Sequence, residues 1–164
     1  MKSNTKKQTI VAVSGGFDPL HVGHIRLINE ARRLGDKLVV ILNNDNWLLT
    51  KKGFTFMSED DRKEILESLA SVGEVVFTEH TERDPDRSIC RELRKLHPDI
   101  FANGGDRTPE DAQNKDSSLN PEAELCTTLG IKTVWNVGKG GKIRSSSELV
   151  ARFKKGGGQG RMKK

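Results

Sequence analysis

Cysteine is scarce in this chain, long apolar runs are missing, and so is positive charge through its middle. Cys90 and Cys126 stand far apart without metal-ligand spacing, so they read as two ordinary thiols of a cytoplasmic protein. No apolar run is long enough for a membrane span or a secretory signal, and the mean hydropathy is −0.61. The net charge of +5 misleads. Residues 1–8 and 152–164 hold nine of the 28 basic residues and no acid, which leaves nineteen bases against 23 acids between them. A protein that reads nucleic acid carries its positive charge on a folded face. Here the excess sits in two tails, so neither nucleic acid nor membrane is expected as a partner; nucleic-acid binding through the tails is the alternative. No internal repeat and no dedicated protein cage for a metal can be picked out.

What is present is an alternation. A length of 164 residues suits one domain with a core of useful size. Residues 1–8 are predicted to be a flexible basic arm, 9–153 the folded domain and 154–164 a flexible Gly/Lys tail. Five short apolar runs end at turn residues and predict strands: Ile10 to Val13, Lys37 to Leu42, Glu74 to Phe77, Asp99 to Ala102 and Ile131 to Trp135. Between them, helices are predicted along the stripe Ile25 to Leu34, over 59–71 behind the capping pair Ser58 and Asp61, from Pro85 to Leu96, and over 122–129. Ser145 and Glu148 repeat the capping spacing and start a last helix. The polar residues 107–120 read as an exposed loop. This rhythm makes an α/β fold, a Rossmann-like, doubly wound, five-stranded parallel sheet in a single domain. Ligands of such sheets bind beyond the carboxyl ends of the strands.

The most informative stretch joins the first strand to the first helix: Ser14-Gly15-Gly16-Phe17-Asp18-Pro19-Leu20-His21-Val22-Gly23-His24. Two histidines three residues apart share a helical face. The helix start adds unpaired backbone N–H groups and a positive dipole end. Glycines 15 and 16 admit a close approach of backbone to ligand. Imidazoles and amides aimed at one spot suit a polyphosphate. The plainer alternative is that His21 and His24 only cap or pack a helix start.

Gly-x-Phe-Asp-x-x-His-x-Gly-His, here Gly15 to His24, resembles the signature of the cytidylyltransferase-like nucleotidyltransferases, the H-x-G-H superfamily. In size and layout the chain is similar to the glycerol-3-phosphate cytidylyltransferases and heptose-1-phosphate adenylyltransferases, and the likeness covers residues 9 to 152. The resemblance implies transfer of a nucleoside monophosphate from CTP or ATP, delivered with Mg²⁺, to a small phosphorylated alcohol or sugar, with release of pyrophosphate. It also implies a homodimer.

On the same grounds His21 and His24 are catalytic, and Gly15, Gly16, Phe17, Asp18 and Gly23 belong to the nucleotide-binding turn. Arg144-Ser145-Ser146-Ser147 resembles the family's C-terminal serine motif, which grips the β- and γ-phosphates; three hydroxyls, free amides and a guanidinium at a helix start suit that task. Lys52 matches a Lys-Gly step on a loop over the triphosphate, with Lys51 beside it as the alternative. Gly104, Gly105 and Asp106 resemble the Gly-Gly-Asp of the heptose enzymes, near base and ribose. Asn44, Asp45 and Arg62 fall on the acceptor side, Arg62 by its match to a Glu-x-Arg in which Asp60 replaces the Glu. Two further departures stand out. Gly16 occupies a place where many members carry Thr or Cys, and Val137 to Lys142 replaces the Arg-Thr-Glu-Gly of the choline- and glycerol-phosphate enzymes. CTP and ATP both stay open. The alternative from another class is a nucleotide-binding or regulatory module without catalysis.

Overall fold

Five parallel strands run outward from the centre of one sheet in two directions. In the computed structural model, which describes residues 7–105, 107–117, 119–138 and 145–156, they are β1 (Ile10–Gly15), β2 (Lys37–Leu42), β3 (Glu74–Phe77), β4 (Ile100–Gly104) and β5 (Lys132–Val137). Their order across the sheet is β3-β2-β1-β4-β5, and every pairing is parallel. The order reverses between β1 and β4, and at such a point the loops on either side part and leave a crevice.

Helices cover both faces. α1 (Val22–Arg32) and α3 (Glu59–Glu67) pack on one, and α4 (Cys90–Leu96) and α6 (Leu119–Leu129) on the other. Successive strand residues point to opposite sides. Val11, Val13, Leu38, Val40 and Leu42 therefore meet Ile28, Ala31 and Leu66, while Ala12, Ile41 and Phe101 meet Ile89, Leu93 and Cys126. With both faces covered, the strands read as continuous apolar runs rather than alternating ones. Fully burying each large side chain of these clusters contributes about 1.5–3 kcal/mol, and that anchors the sheet edge on which the site stands.

Two helices lie where the sequence suggested loops. α2 (Asp45–Lys52) follows β2 directly; Asn44 Oδ1 accepts from the Trp47 N–H at 3.0 Å, and Gly53 closes the helix at φ 78°. α5 (Pro109–Gln113) interrupts 107–120 with a capping box of Thr108 and Asp111 and a proline at its first position. α6 begins three residues before Glu122. Conversely, α3 ends at Glu67 rather than 71, and Pro85 lies outside any helix. Asp84 and Asp86 accept from the amides of Thr81, Asp86 and Ser88, and these local turns outcompete helix until Cys90. α7 (Ser146–Gly156) continues past Phe153, so the start of the expected tail is helical. At the other end Lys7 pairs with Asp99 at 2.9 Å. Cys90 and Cys126 are buried free thiols. Among the described residues no helix is long and apolar enough to cross a membrane.

Candidate active site

A cleft of about 360 Å³ opens where the strand order reverses, between the turn after β1, the end of α2, the loop after β4 and the start of α7. His21 and His24 stand on its wall. His21 is the N-cap of α1 and His24 its third residue, and they cap each other reciprocally. His21 Nδ1 accepts from the Gly23 N–H at 3.1 Å, and His24 Nδ1 accepts from the His21 N–H at 3.3 Å. The rings stack with centroids 3.7 Å apart. With both Nδ1 lone pairs committed to backbone donors, a neutral ring carries its proton on Nε2, so each histidine offers Nε2–H as a donor. The glycine between them has a definite reason: a Cβ on Gly23 would lie 2.9 Å from His21 Cε1. Burial, then His21, then Lys52 hold the His24 pKa down to about 3, so His24 is neutral at pH 7.

Ser145, Ser146 and Ser147 line the same cleft. Ser145 and Glu148 form the expected capping pair at 3.1 and 3.2 Å, and Ser146 Oγ donates to the Pro19 carbonyl at 3.0 Å. That bond ties the far end of the chain to the histidine turn. Lys51 and Lys52 sit in the last turn of α2 rather than on a loop, so the Lys-Gly step is a helix end. Lys51 Nζ lies 4.4 Å from the Trp47 ring centre. Burial, with Arg107, Lys52 and Arg87 following, lowers the Lys51 pKa; Lys52 is lowered by burial first, against the pull of Asp18. Gly15, Gly23, Gly104 and Gly105 also line the cleft. Gly16 does too, yet its missing side chain answers to packing: a Cβ there would lie 2.8 Å from Leu48 Cδ2 of α2. Arg144 and Asp106 lie outside the described residues.

Several expected ligand residues are occupied elsewhere. Asp18 is 1 % exposed, and its two oxygens accept from the Phe56 and Met57 N–H groups at 2.7 Å, so it braces the turn. Phe17, buried at φ 50°, sets its ring edge-on to His24 at 4.9 Å between centroids and so steadies the imidazole. Arg62 is not an acceptor contact. Its guanidinium is wholly buried and donates to the carbonyls of Gly16 and Asn43 at 2.7 Å, of Met57 at 3.2 Å, and to Asp45 Oδ1 at 2.6 Å. Asp45 is thereby engaged as well. Asn44 is consumed in capping α2 and in donating to His80 O at 2.8 Å. Residues not singled out as ligands by any sequence motif also line the cleft, namely Arg87, Asn103, Arg107 and Glu122, together with Trp47 from the segment after β2. Arg107 had a signal, since it follows the Gly-Gly-Asp step directly. Glu122 had none, although burial raises its pKa to about 7.

A doubly wound sheet whose switch-point cleft gathers stacked imidazoles, lysines, arginines and a serine-capped helix start belongs to the class of α/β proteins built to hold a polyanion. The family model described as Cytidylyltransferase-like matches residues 12–147, and the chain belongs to that family. It is 41% identical over 135 residues to the bifunctional protein HldE of Syntrophotalea carbinolica, covering 79% of this chain and 26% of that relative. It is 42% identical over 105 residues to the FAD synthase of Thermococcus sibiricus, covering 63% of this chain and 68% of that relative. Among solved structures, the lipopolysaccharide core biosynthesis protein from Thermoplasma volcanium GSS1 aligns with a TM-score of 0.62 at 25% identity, over 80% of this chain and 98% of that one. The chain thus spans about a quarter of the length of the HldE relatives it matches.

Proposed function

We propose that the chain is a nucleotidyltransferase that moves a nucleoside monophosphate from a magnesium triphosphate to a small phosphorylated alcohol or sugar. An acceptor phosphate oxygen attacks the α-phosphorus, a new P–O bond forms, the bond to the β-bridging oxygen breaks, and pyrophosphate leaves. The acceptor phosphate is already ionised, so no protein base is required. What the step needs is in-line positioning and donors where charge builds up. The observation that carries this reading is the convergence of the His21–His24 pair and the Ser145–Ser147 cap on one cleft of a Cytidylyltransferase-like chain. The two Nε2–H donors suit the α-phosphate in the pentacoordinate state. The serine hydroxyls and the start of α7 suit the leaving pyrophosphate, and Lys51 and Lys52 the charge between them.

ATP is the favoured donor over CTP, because a relative named FAD synthase makes, by that name, an adenine dinucleotide. Mg²⁺ arrives on the triphosphate. Glu122 is the one acid on the described lining, so the cleft is suited to bind the phosphates rather than the ion. A homodimer is proposed from the family alone, and sedimentation reads it directly. The decisive experiment is pyrophosphate release with ATP, CTP, GTP or UTP, Mg²⁺ and a set of phosphorylated acceptors, run beside thermal shifts with each triphosphate. Release that depends on an acceptor and disappears in His21→Ala/His24→Ala supports the reading. Undiminished release in that double variant defeats it.

A further inference from the structure

Glu122 is the one carboxylate on the described lining of the cleft, and the reaction above makes no use of it. It is 5 % exposed. Its Oε1 accepts from the Ile89 N–H at 3.1 Å, at the start of α4, where no side chain of the local segment supplies a cap. Two residues earlier, the Arg87 carbonyl accepts from the Trp47 indole N–H at 2.9 Å. The segment from Arg87 to Ile89 is thus pinned to α2 by Trp47 and to α6 by Glu122, and Arg87 itself lines the cleft. Glu122 Oε2 makes no hydrogen bond among the described residues, and it is not one of the fully enclosed atoms that lack a partner. It is the oxygen left for the cleft.

As a carboxylate that oxygen can only accept, which sets it against an oxyanion; as a carboxylic acid it donates, which suits one. In either form Oε1 keeps the Ile89 bond. The titratable groups that act on Glu122 come from every side: Lys51 from α2, Asp86 and Cys90 at the entry to α4, Arg107 after β4, and Cys126 from its own helix. Burial first raises its pKa to about 7; the Ile89 N–H and Arg107 pull the other way, Asp86 adds to the rise, and Lys51 opposes it. An oxyanion that pairs with Lys51 and Arg107 takes their support away from the carboxylate and adds its own negative charge. Both changes favour the protonated acid. We propose that Glu122 is a proton-linked positioning residue of this cleft: it anchors the segment that presents Arg87, and it takes up a proton from solvent as an oxyanion ligand arrives, so that binding strengthens as pH falls through neutrality. Its place in catalysis rests on the nucleotidyl-transfer reading; its coupling to oxyanion binding does not.

The test is calorimetric titration of the full chain with MgATP, MgCTP and sulfate, without acceptor, at about pH 6 and about pH 8.5. Sulfate does not titrate in this range, so a slope seen with it belongs to the protein. Wild-type affinity for at least one probe is expected to fall about fivefold or more toward the alkaline end, which a ligand-induced rise of about one unit in a single pKa produces. Titrations in buffers of different ionisation enthalpy should show proton uptake near neutrality. Glu122→Gln keeps the anchor and offers a permanent donor. It should bind as tightly as wild type at the acid end, lose most of the fall and lose most of the proton uptake. Glu122→Ala removes the anchor as well and should weaken binding at both pH values. Adding Arg87→Ala to it should cost little more, because the two act through one segment; fully additive losses would remove the anchoring role. If the alanine variant does not fold, the glutamine variant decides. Wild-type affinity independent of pH, an equally steep fall in Glu122→Gln, or no binding of any of the three probes overturns the proposal. Pyrophosphate release with phosphorylated acceptors, measured on the same proteins, separates the two claims. Proton coupling without release leaves the role of Glu122 standing and removes the reaction; release without coupling does the reverse.

Discussion

Arg62 and the Lys51–Lys52 pair carry the same charge at the same edge of the sheet in opposite circumstances. Arg62 is wholly buried and meets four oxygens at 2.6–3.2 Å, so its charge is answered from within the chain. Lys52 and His24 are only partly covered and Lys51 is exposed, yet the pKa values of all three are pushed down, by desolvation first, and positive neighbours add to it. A buried cation answered by oxygens is part of the framework. Lysines crowded by other cations beside a neutral imidazole are stabilised by an arriving anion, which opposes each of those shifts. The chain spends Asp18 and Asp45 on bracing the turn and the arginine, which leaves the cleft short of negative charge.

Breaking the strut should have the largest effect. Arg62→Ala strands the Gly16 and Asn43 carbonyls and the Asp45 carboxylate, and loss of one partner of a buried charge pair costs about 3–5 kcal/mol. Urea unfolding reads this directly; a change below about 1 kcal/mol would mean that Arg62 is no framework residue. Next comes His24→Ala. Removing one pre-aimed donor lowers turnover by about 10²–10³-fold, whereas loss of one capping partner costs only about 1 kcal/mol of stability. Equal losses in kcat and thermal midpoint would erase the contrast between the strut and the cleft. A third, smaller effect is stabilisation by the nucleotide. At a hundred times its Kd a triphosphate adds about 2.7 kcal/mol. Lys52→Ala should shrink that shift at a fixed ligand concentration while leaving the unliganded midpoint equal or higher, because a desolvated cation is gone.

The turn after β1 was legible because its residue types answer to local geometry. Glycine and histidine at that spacing have few other uses, and Gly23 turns out to be the place where a side chain would strike the His21 ring. The five strands were legible because burial on both faces makes apolar runs. α2 was not, since Asn43-Asn44-Asp45 at a strand end has the composition of a loop, and the Asn44 cap shows only in the structure. Arg62 was misread for a different reason. It lies in the acidic segment Glu59-Asp60-Asp61 that looks solvated, and its burial is decided by carbonyls from three other parts of the chain. The same holds for Glu122, a glutamate on the amphipathic helix α6 whose position in the cleft depends on where that helix crosses the sheet. Spacing in sequence reports neighbours along an element; it does not report what the fold brings over from elsewhere.

The smallest effect is a near cancellation that one substitution uncovers. His24 has its pKa lowered from 6.5 to about 3, so the unfolded chain binds a proton there first; its contribution is complete above pH 6.5 and drains away as pH falls toward 3. Glu122 is raised from 4.5 to about 7, so the folded chain binds the proton first; its contribution is complete below pH 4.5 and is lost as pH rises through 7. Between pH 6.5 and 5 the two slopes oppose each other. The lowered carboxylates Glu79, Asp84 and Asp99 come into play only below that window. Wild-type stability should therefore be nearly flat from pH 6.5 to 5. Glu122→Gln removes one slope and exposes the other, so the variant should lose about 2 kcal/mol over that interval at about 1.4 kcal/mol per unit. Denaturant midpoints at four pH values are enough to see it. A variant as flat as the wild type would mean that His24 is not the desolvated neutral imidazole on which the difference between cleft and strut depends.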